Sequence, residues 1–186
     1  MIYLNLILTA MAAIAVANIL GGAPALPVIG ATVLLTVAVI AVDGVFAFLI
    51  RRLPERWFSY DRRLFAVGRR EVALYRTLGV KHWKRIVPDL GCFTGFRKQH
   101  LDDPTSAAYT GRYLLEAAYG IVIHAVNIPT GFLILFILPS YALTVALPVA
   151  CVNLVLSLLP TMLLRSNFPF LVRLHRRNLK RSEGAA

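Results

Sequence analysis

Residues 2–20 contain no charged side chain, and residues 26–50 contain one, Asp43. About 20 consecutive apolar residues suffice to cross the hydrocarbon core of a bilayer. A helix is the form such a run must take there, because it satisfies its own backbone groups where no water can. Gly21-Gly22-Ala23-Pro24 lies between the two runs and reads as a tight turn, so they form a helical hairpin. A secretory signal peptide is the rival reading of the first run, but no basic start precedes it. Asp43 is either a functional group turned to the interior or a residue near the interface, eight positions before Arg51 and Arg52.

A second apolar block covers residues 105–164. Hydrophobic residues make up 58% of the 186-residue chain, above the roughly 45–50% of soluble domains, and the excess sits in these two blocks. A helix is expected over 105–127, with Asp102, Asp103 or Thr105 near its start. It reads either as a partial, re-entrant helix or as the start of a third span. Asn127-Ile128-Pro129-Thr130-Gly131 reads as a breaker. A further apolar run over 131–164 carries Pro139, Pro148 and Pro160, and Asn167 and Pro169 mark its exit.

Between the blocks, residues 51–104 hold 13 Lys/Arg and 6 Asp/Glu, together with Trp57, Phe58, Tyr60, Phe65, Tyr75, Trp83, Phe93 and Phe96. That many aromatics argues against a disordered linker. Residues 67–78 have the pattern of an amphipathic helix, with Val67, Val72, Leu74, Tyr75 and Leu78 mostly on one side, and Gly79 fits its C-cap. Such a helix lies on headgroups with its arginines snorkelling to water. The tail, 171–186, is also basic.

The net charge of +11 suits membrane topology and anionic membrane lipids. Nucleic acid is excluded as a partner, because the basic block is tethered at both ends and shows no binding module. Both basic segments, and with them both termini, are expected on the cytoplasmic side of the cell membrane. The expected fold is all-α: one integral membrane bundle of about four transmembrane helices over 1–186, made of the hairpin (1–50), the basic amphipathic cytoplasmic segment (51–104), apolar helices (105–170) and the tail. No metal-site spacing joins the four histidines, and Cys92 and Cys151 give no disulfide framework.

Glu116 and His124 stand out in an otherwise apolar stretch. Eight residues at 100° each leave about 80° between them around a helix, so they share one broad side. A histidine with a carboxylate neighbour can take the proton of a hydroxyl as it attacks an acyl carbonyl, while the carboxylate orients the ring. A structural helix–helix hydrogen bond or an interfacial histidine would explain the same two residues. His100 with Asp103 is a rival set in a polar setting. His82 and His175 sit among basic residues and read as surface groups. Lys81, Trp83, Lys84 and Arg85, ahead of Pro88-Asp89, suit a headgroup-level anchor or a patch for the phosphates of CoA or a lipid.

A longer series is shared with a known family. It runs Leu53-Pro54-Glu55-Arg56-Trp57-Phe58, Phe65, Glu71, Tyr75, Gly79-Val80-Lys81-His82-Trp83-Lys84, Pro88-Asp89, Gly91, Phe96, Lys98 and His100-Leu101. Glu116, His124, Leu159-Pro160 and Arg165-Ser166-Asn167-Phe168-Pro169 complete it. In this order it resembles the glycosyl-4,4'-diaponeurosporenoate acyltransferase family, small membrane enzymes of staphyloxanthin-type carotenoid synthesis, over residues 53–170. The family's helix reads Glu-Thr-x-Arg-x-Glu-x-x-His. Glu116 and His124 fall on its first and last positions, whereas Tyr119 replaces the arginine and Ile121 the second glutamate. At the exit Arg165, Asn167 and Pro169 match, and Ser166 and Phe168 do not. These departures bear on the reaction more than on the fold.

The resemblance implies transfer of a fatty acyl group to a hydroxyl of a glycosylated lipid or carotenoid. His124 would be the general base and Glu116 its orienting partner or a proton carrier. Lys81, Trp83, Lys84, Asp89, Lys98 and His100 would shape the donor or acceptor entrance, and Arg165 and Asn167 would close the site. No cofactor is implied; the donor would be an acyl thioester such as acyl-CoA, or a lipid ester. The other classes are a non-enzymatic assembly subunit of a membrane complex and a small lipid carrier or transporter. No internal repeat favours the last.

Overall fold

The computed structural model of the chain describes residues 2–83, 87 and 101–184. Every regular element among them is helical: α1 (Ile2–Leu20), α2 (Ala25–Arg51), α3 (Arg69–Thr77), α4 (Val80–Trp83), α5 (Ala107–Thr130) and α6 (Leu147–Glu183). Three segments are long and apolar enough to cross a membrane, Ala25–Arg51, Ala107–Phe136 and Pro139–Glu183, and Leu4–Leu20 is a shorter apolar helix. The chain is therefore a membrane protein. Its all-helical character is as expected, while three helices rather than four meet the length and hydropathy of a span. Two compact units make up the chain: Met1–Arg51 with Ile123–Leu159, and Arg52–Val122 with Pro160–Ala186.

In the first unit, α1 turns into α2 through Gly21 and Gly22. Gly22 holds φ +92°, which only glycine adopts without strain. Apolar residues run right round α2, from buried Val28, Leu35 and Val39 to exposed Leu26, Val37 and Phe48, as a lipid-facing helix requires. Leu35 and Val39 pack with Ile134, Val145, Ala146, Val149 and Ala150 in one apolar cluster. The α-helix α5 ends inside the expected breaker: it continues through Pro129 and stops at Thr130. The chain then tightens into a 3₁₀ stretch over Gly131–Phe136. A π-helical turn over Ala142–Ala146 precedes α6. Asn18 Nδ2 donates to the Thr144 carbonyl of that turn at 2.9 Å and to Ile14 O at 2.8 Å, so α1 is held at a fixed height on it.

In the second unit, α3 starts after Gly68 and ends at Thr77, with Leu78 as its C-cap and Gly79 at φ +62°. The amphipathic helix and its glycine cap are thus where the pattern puts them. At the start of α5, Asp103 Oδ1 accepts from the backbone N–H of Thr105 and Ser106, and Ser106 Oγ accepts from Tyr109 N at 3.1 Å. Ser106 is the N-cap, one residue beyond the expected set. The sequence expects an exit at Asn167 and Pro169, yet α6 runs through both to Glu183. The basic tail is therefore the last part of a helix. Two aromatic pairs join distant segments: Phe58 against Tyr119, with centroids 4.2 Å apart, and Phe65 stacked on Phe168 at 5.5 Å.

Candidate functional site

Glu116 lies on α5 in the second unit and is only 1% exposed. Leu114, Ala117, Ala118 and Tyr119 around it are buried as well. A carboxylate in such surroundings needs a partner, and Arg112, one turn earlier, supplies it at 2.9 Å. The Arg112 side chain is mostly exposed, so the pair carries charge from the interior to the rim of this unit. His124 lies on the same helix and is half-buried, in the part of α5 that belongs to the first unit. Ile121, where the family pattern has its second glutamate, is buried.

Arg165 is the hub of a second polar group. Its Nε and Nη2 donate to the two carboxylate oxygens of Glu71, at 2.5 and 2.9 Å. Nη1 donates to Leu64 O at 2.9 Å and Nη2 also to Ala66 O at 3.2 Å. Tyr75, one turn along α3, donates its hydroxyl to Glu71. The fork–fork pairing of guanidinium and carboxylate is among the strong hydrogen-bond geometries. It ties α6 to the start of α3 and to the turn before it. The Arg165 guanidinium holds the Glu71 carboxyl below the ordinary glutamate range. Burial, and then the Glu71 carboxylate, push the Tyr75 phenol up to about 12. The sequence places Arg165 at the mouth of a site; the structure shows it bound to Glu71.

His175 is not a surface group. It is 8% exposed, with Nδ1 3.1 Å from Thr110 Oγ1 and its ring edge-on to Tyr60. Thr110 Oγ1 also lies within hydrogen-bonding distance of Ser106 O, at 2.8 Å. Asn178, one turn on, donates to Pro104 O at 2.9 Å. A Cβ at Gly111 would lie 3.1 Å from His175 Cε1, so the bare glycine lets the end of α6 approach the start of α5. The basic neighbours of His175 in sequence concealed this. Its partner Thr110 is 65 residues away and Tyr60 farther still, and only the helical spacing of His175 with buried Leu171, Leu174 and Asn178 hints at an inward face.

Of the other expected site residues, Trp83 donates its indole N–H to Leu78 O at 3.0 Å, which closes the turn between α3 and α4. Lys81 lies in α4, and Asn167 is exposed on α6. Lys84, Asp89, Lys98 and His100, and also Cys92, lie outside the described residues. Cys151 is an exposed free thiol. No group of three or more histidine, cysteine or carboxylate side chains that could hold a metal occurs among the described residues.

The model of the glycosyl-4,4'-diaponeurosporenoate acyltransferase family matches residues 54–177. The chain belongs to that family. No characterised protein and no solved structure matched it. The stretch matched to the acyltransferase family takes in Glu71, Tyr75, Glu116, His124 and Arg165, and ends just past His175. It leaves out α1 and α2.

In the first unit, Asp43 is half-buried, and its Oδ1 accepts from Asn153 Nδ2 at 3.4 Å; the same amide group lies 3.4 Å from Asn127 O. A Cβ on Gly131 would sit 2.5 Å from Asn153 Nδ2, so only glycine leaves room for that side chain. The second unit has a cleft of about 380 Å³ lined by Tyr60, Asp61, Arg62, Phe65, Phe168 and Arg173 among others.

Proposed function

We propose that the protein is a membrane acyltransferase that moves a fatty acyl group from an acyl thioester or lipid ester to a hydroxyl of a glycosylated lipid or carotenoid. Membership of the acyltransferase family over residues 54–177 carries this reading. Support comes from Glu116, a carboxylate kept inside an apolar helix, where intramembrane ionisable groups are costly and usually functional.

In this reading His124 removes the hydroxyl proton as the oxygen attacks the acyl carbonyl. Glu116 stabilises the charged imidazole or relays its proton, and the same proton goes to the departing thiolate or alkoxide as the tetrahedral intermediate collapses. Trp83, Lys81 and the basic residues that follow, with Lys98 and His100, border the donor or acceptor entrance. Arg165 acts through Glu71 to hold α3 in place, and Asn167 stands beside the same entrance.

Four crossings, with the basic segments and both termini on the cytoplasmic side of the cell membrane, fit the placement of lysine and arginine. Membranes carrying His124→Ala or Glu116→Gln should lose acylated product, read by mass spectrometry of extracted lipids, at unchanged expression and extraction. Normal product from both variants overturns the catalytic assignment. Joint loss of expression makes the pair structural and favours an assembly subunit, a role that the existing Arg112–Glu116 ion pair would also suit.

A further inference from the structure

The cleft in the second unit joins two kinds of surface. Phe65 and Phe168, stacked and almost fully buried, form its base together with Val172. Arg62, Arg173 and Arg176 stand on its rim against one carboxylate, Asp61. Asp61 Oδ1 is committed to Arg176 at 2.9 Å, and Arg176 also lies over the Tyr60 ring, 5.9 Å from its centroid. Arg62 donates Nε to Arg56 O at 3.1 Å, which fixes its guanidinium in place. Arg173 is exposed and makes no hydrogen bond or ion pair with the described residues.

Among the described residues, two of the three rim cations are therefore unneutralised by carboxylate. A concave wall focuses their field, and guanidinium forks match phosphate oxygens in geometry. The volume, about 380 Å³, is within the range of small-ligand sites. We infer that this cleft binds a phosphate-bearing amphiphile, its phosphate ester held by Arg173 and Arg62 and its apolar part lying toward Val172 and the Phe65–Phe168 stack. This goes beyond the acyl-transfer reading and does not depend on it, since neither Glu116 nor His124 lines the cleft.

The test uses the full chain in neutral detergent, with binding followed by thermophoresis. Dioctanoyl phosphatidate should bind more tightly than inorganic phosphate, which lacks the apolar part, and than dioctanoylglycerol, which lacks the phosphate. Arg173→Glu should weaken phosphatidate by about tenfold or more, the loss of a charge-assisted contact. Arg181→Glu makes the same charge change on the same helix, about two turns farther along at an exposed position that does not line the cleft; it should stay within about twofold, a distant screened effect. Asp61→Asn should tighten binding. Coenzyme A that displaces phosphatidate in an Arg173-dependent manner identifies a soluble thioester's phosphates as the source, and failure to displace identifies a lipid headgroup. Equal losses in the Arg173 and Arg181 variants, or equal binding of dioctanoylglycerol and phosphatidate, overturn the proposal.

Discussion

The two units solve the problem of holding helices together in opposite ways. The first, Met1–Arg51 with Ile123–Leu159, has a single arginine, Arg51, and a single carboxylate, Asp43, so the whole net charge of +11 belongs to the second. Apolar side chains fill the first unit, but lipid tails are as apolar as leucine, and burial there gives helices little reason to choose one partner over another. Register comes instead from a few polar contacts: Asn18 on the π-helical turn, and Asn153 between Asp43 and Asn127. The second unit is tied by a branched ion pair, two aromatic pairs and the His175–Thr110 contact. Among the described residues the first unit exposes hydrophobic side chains and no charged one, whereas the second exposes arginines alongside Leu53, Trp57, Leu64 and Leu74.

The contrast can be broken most forcefully in the second unit. Phe168→Ala removes the ring stacked on Phe65 and should cost about 3–5 kcal/mol, as for other buried phenylalanines, read as a fall in the thermal midpoint of the detergent-solubilised protein. Arg165→Met comes next. It leaves the Glu71 carboxylate and two backbone carbonyls without their donor. Because the pair is not fully buried, the loss should be about 2 kcal/mol rather than the larger figure for an interior pair. Arg165→Lys keeps the charge but not the fork, and should recover less than half of that loss. If methionine is as stable as arginine, packing and not the ion pair holds α3 to α6.

A smaller effect sharpens the other side of the comparison. Gly131→Ala should push Asn153 off Asp43 and Asn127. Overpacking costs about 1–3 kcal/mol, and alanine returns about 0.5–1 kcal/mol of backbone entropy, so a net loss of about 1 kcal/mol is expected. In an Asn153→Ala background the same change should be neutral or stabilising. A loss that persists there would mean that Val39, 3.5 Å from the added Cβ, sets the spacing instead.

What could be read from the sequence follows the same division. The Gly21–Pro24 turn, the long apolar α2 and the Gly79 cap each depend on local chemistry, and each lies where the pattern indicates. The continuation of α6 through Asn167 and Pro169 was hidden, because a proline's local bias can be outweighed by packing on both sides: Phe168 on Phe65, then His175 on Thr110. Arg165 carried a signal of importance through the family pattern, but its partner Glu71 lies 94 positions away, and no spacing rule joins them. Glu116 is conspicuous as a carboxylate in an apolar helix, and Arg112, which neutralises it one turn earlier, stands at the i,i+4 spacing that such a pair needs.

The mildest test concerns pH, and it acts on the second unit's ion pair alone. Glu71 in the folded protein ionises below the ordinary glutamate value because Arg165 holds its charged form. Such a group adds stability that is fully present above the unfolded value, about 4.3, and is lost as pH falls through the lower folded value. Tyr75 runs the other way. Its phenol is raised to about 12 by burial and by Glu71, so its contribution is intact below about 10 and is lost as pH rises toward 12. The thermal midpoint should therefore be flat across neutral pH and fall at both ends. Glu71→Gln lowers the plateau, removes the part of the acid limb that belongs to this carboxylate and shrinks the alkaline limb, since the carboxylate is only the second cause of the tyrosine's shift. A Glu71→Gln profile that is simply lower and otherwise parallel to the wild type at both ends would show that the Arg165 contacts to Leu64 O and Ala66 O hold the joint without the carboxylate.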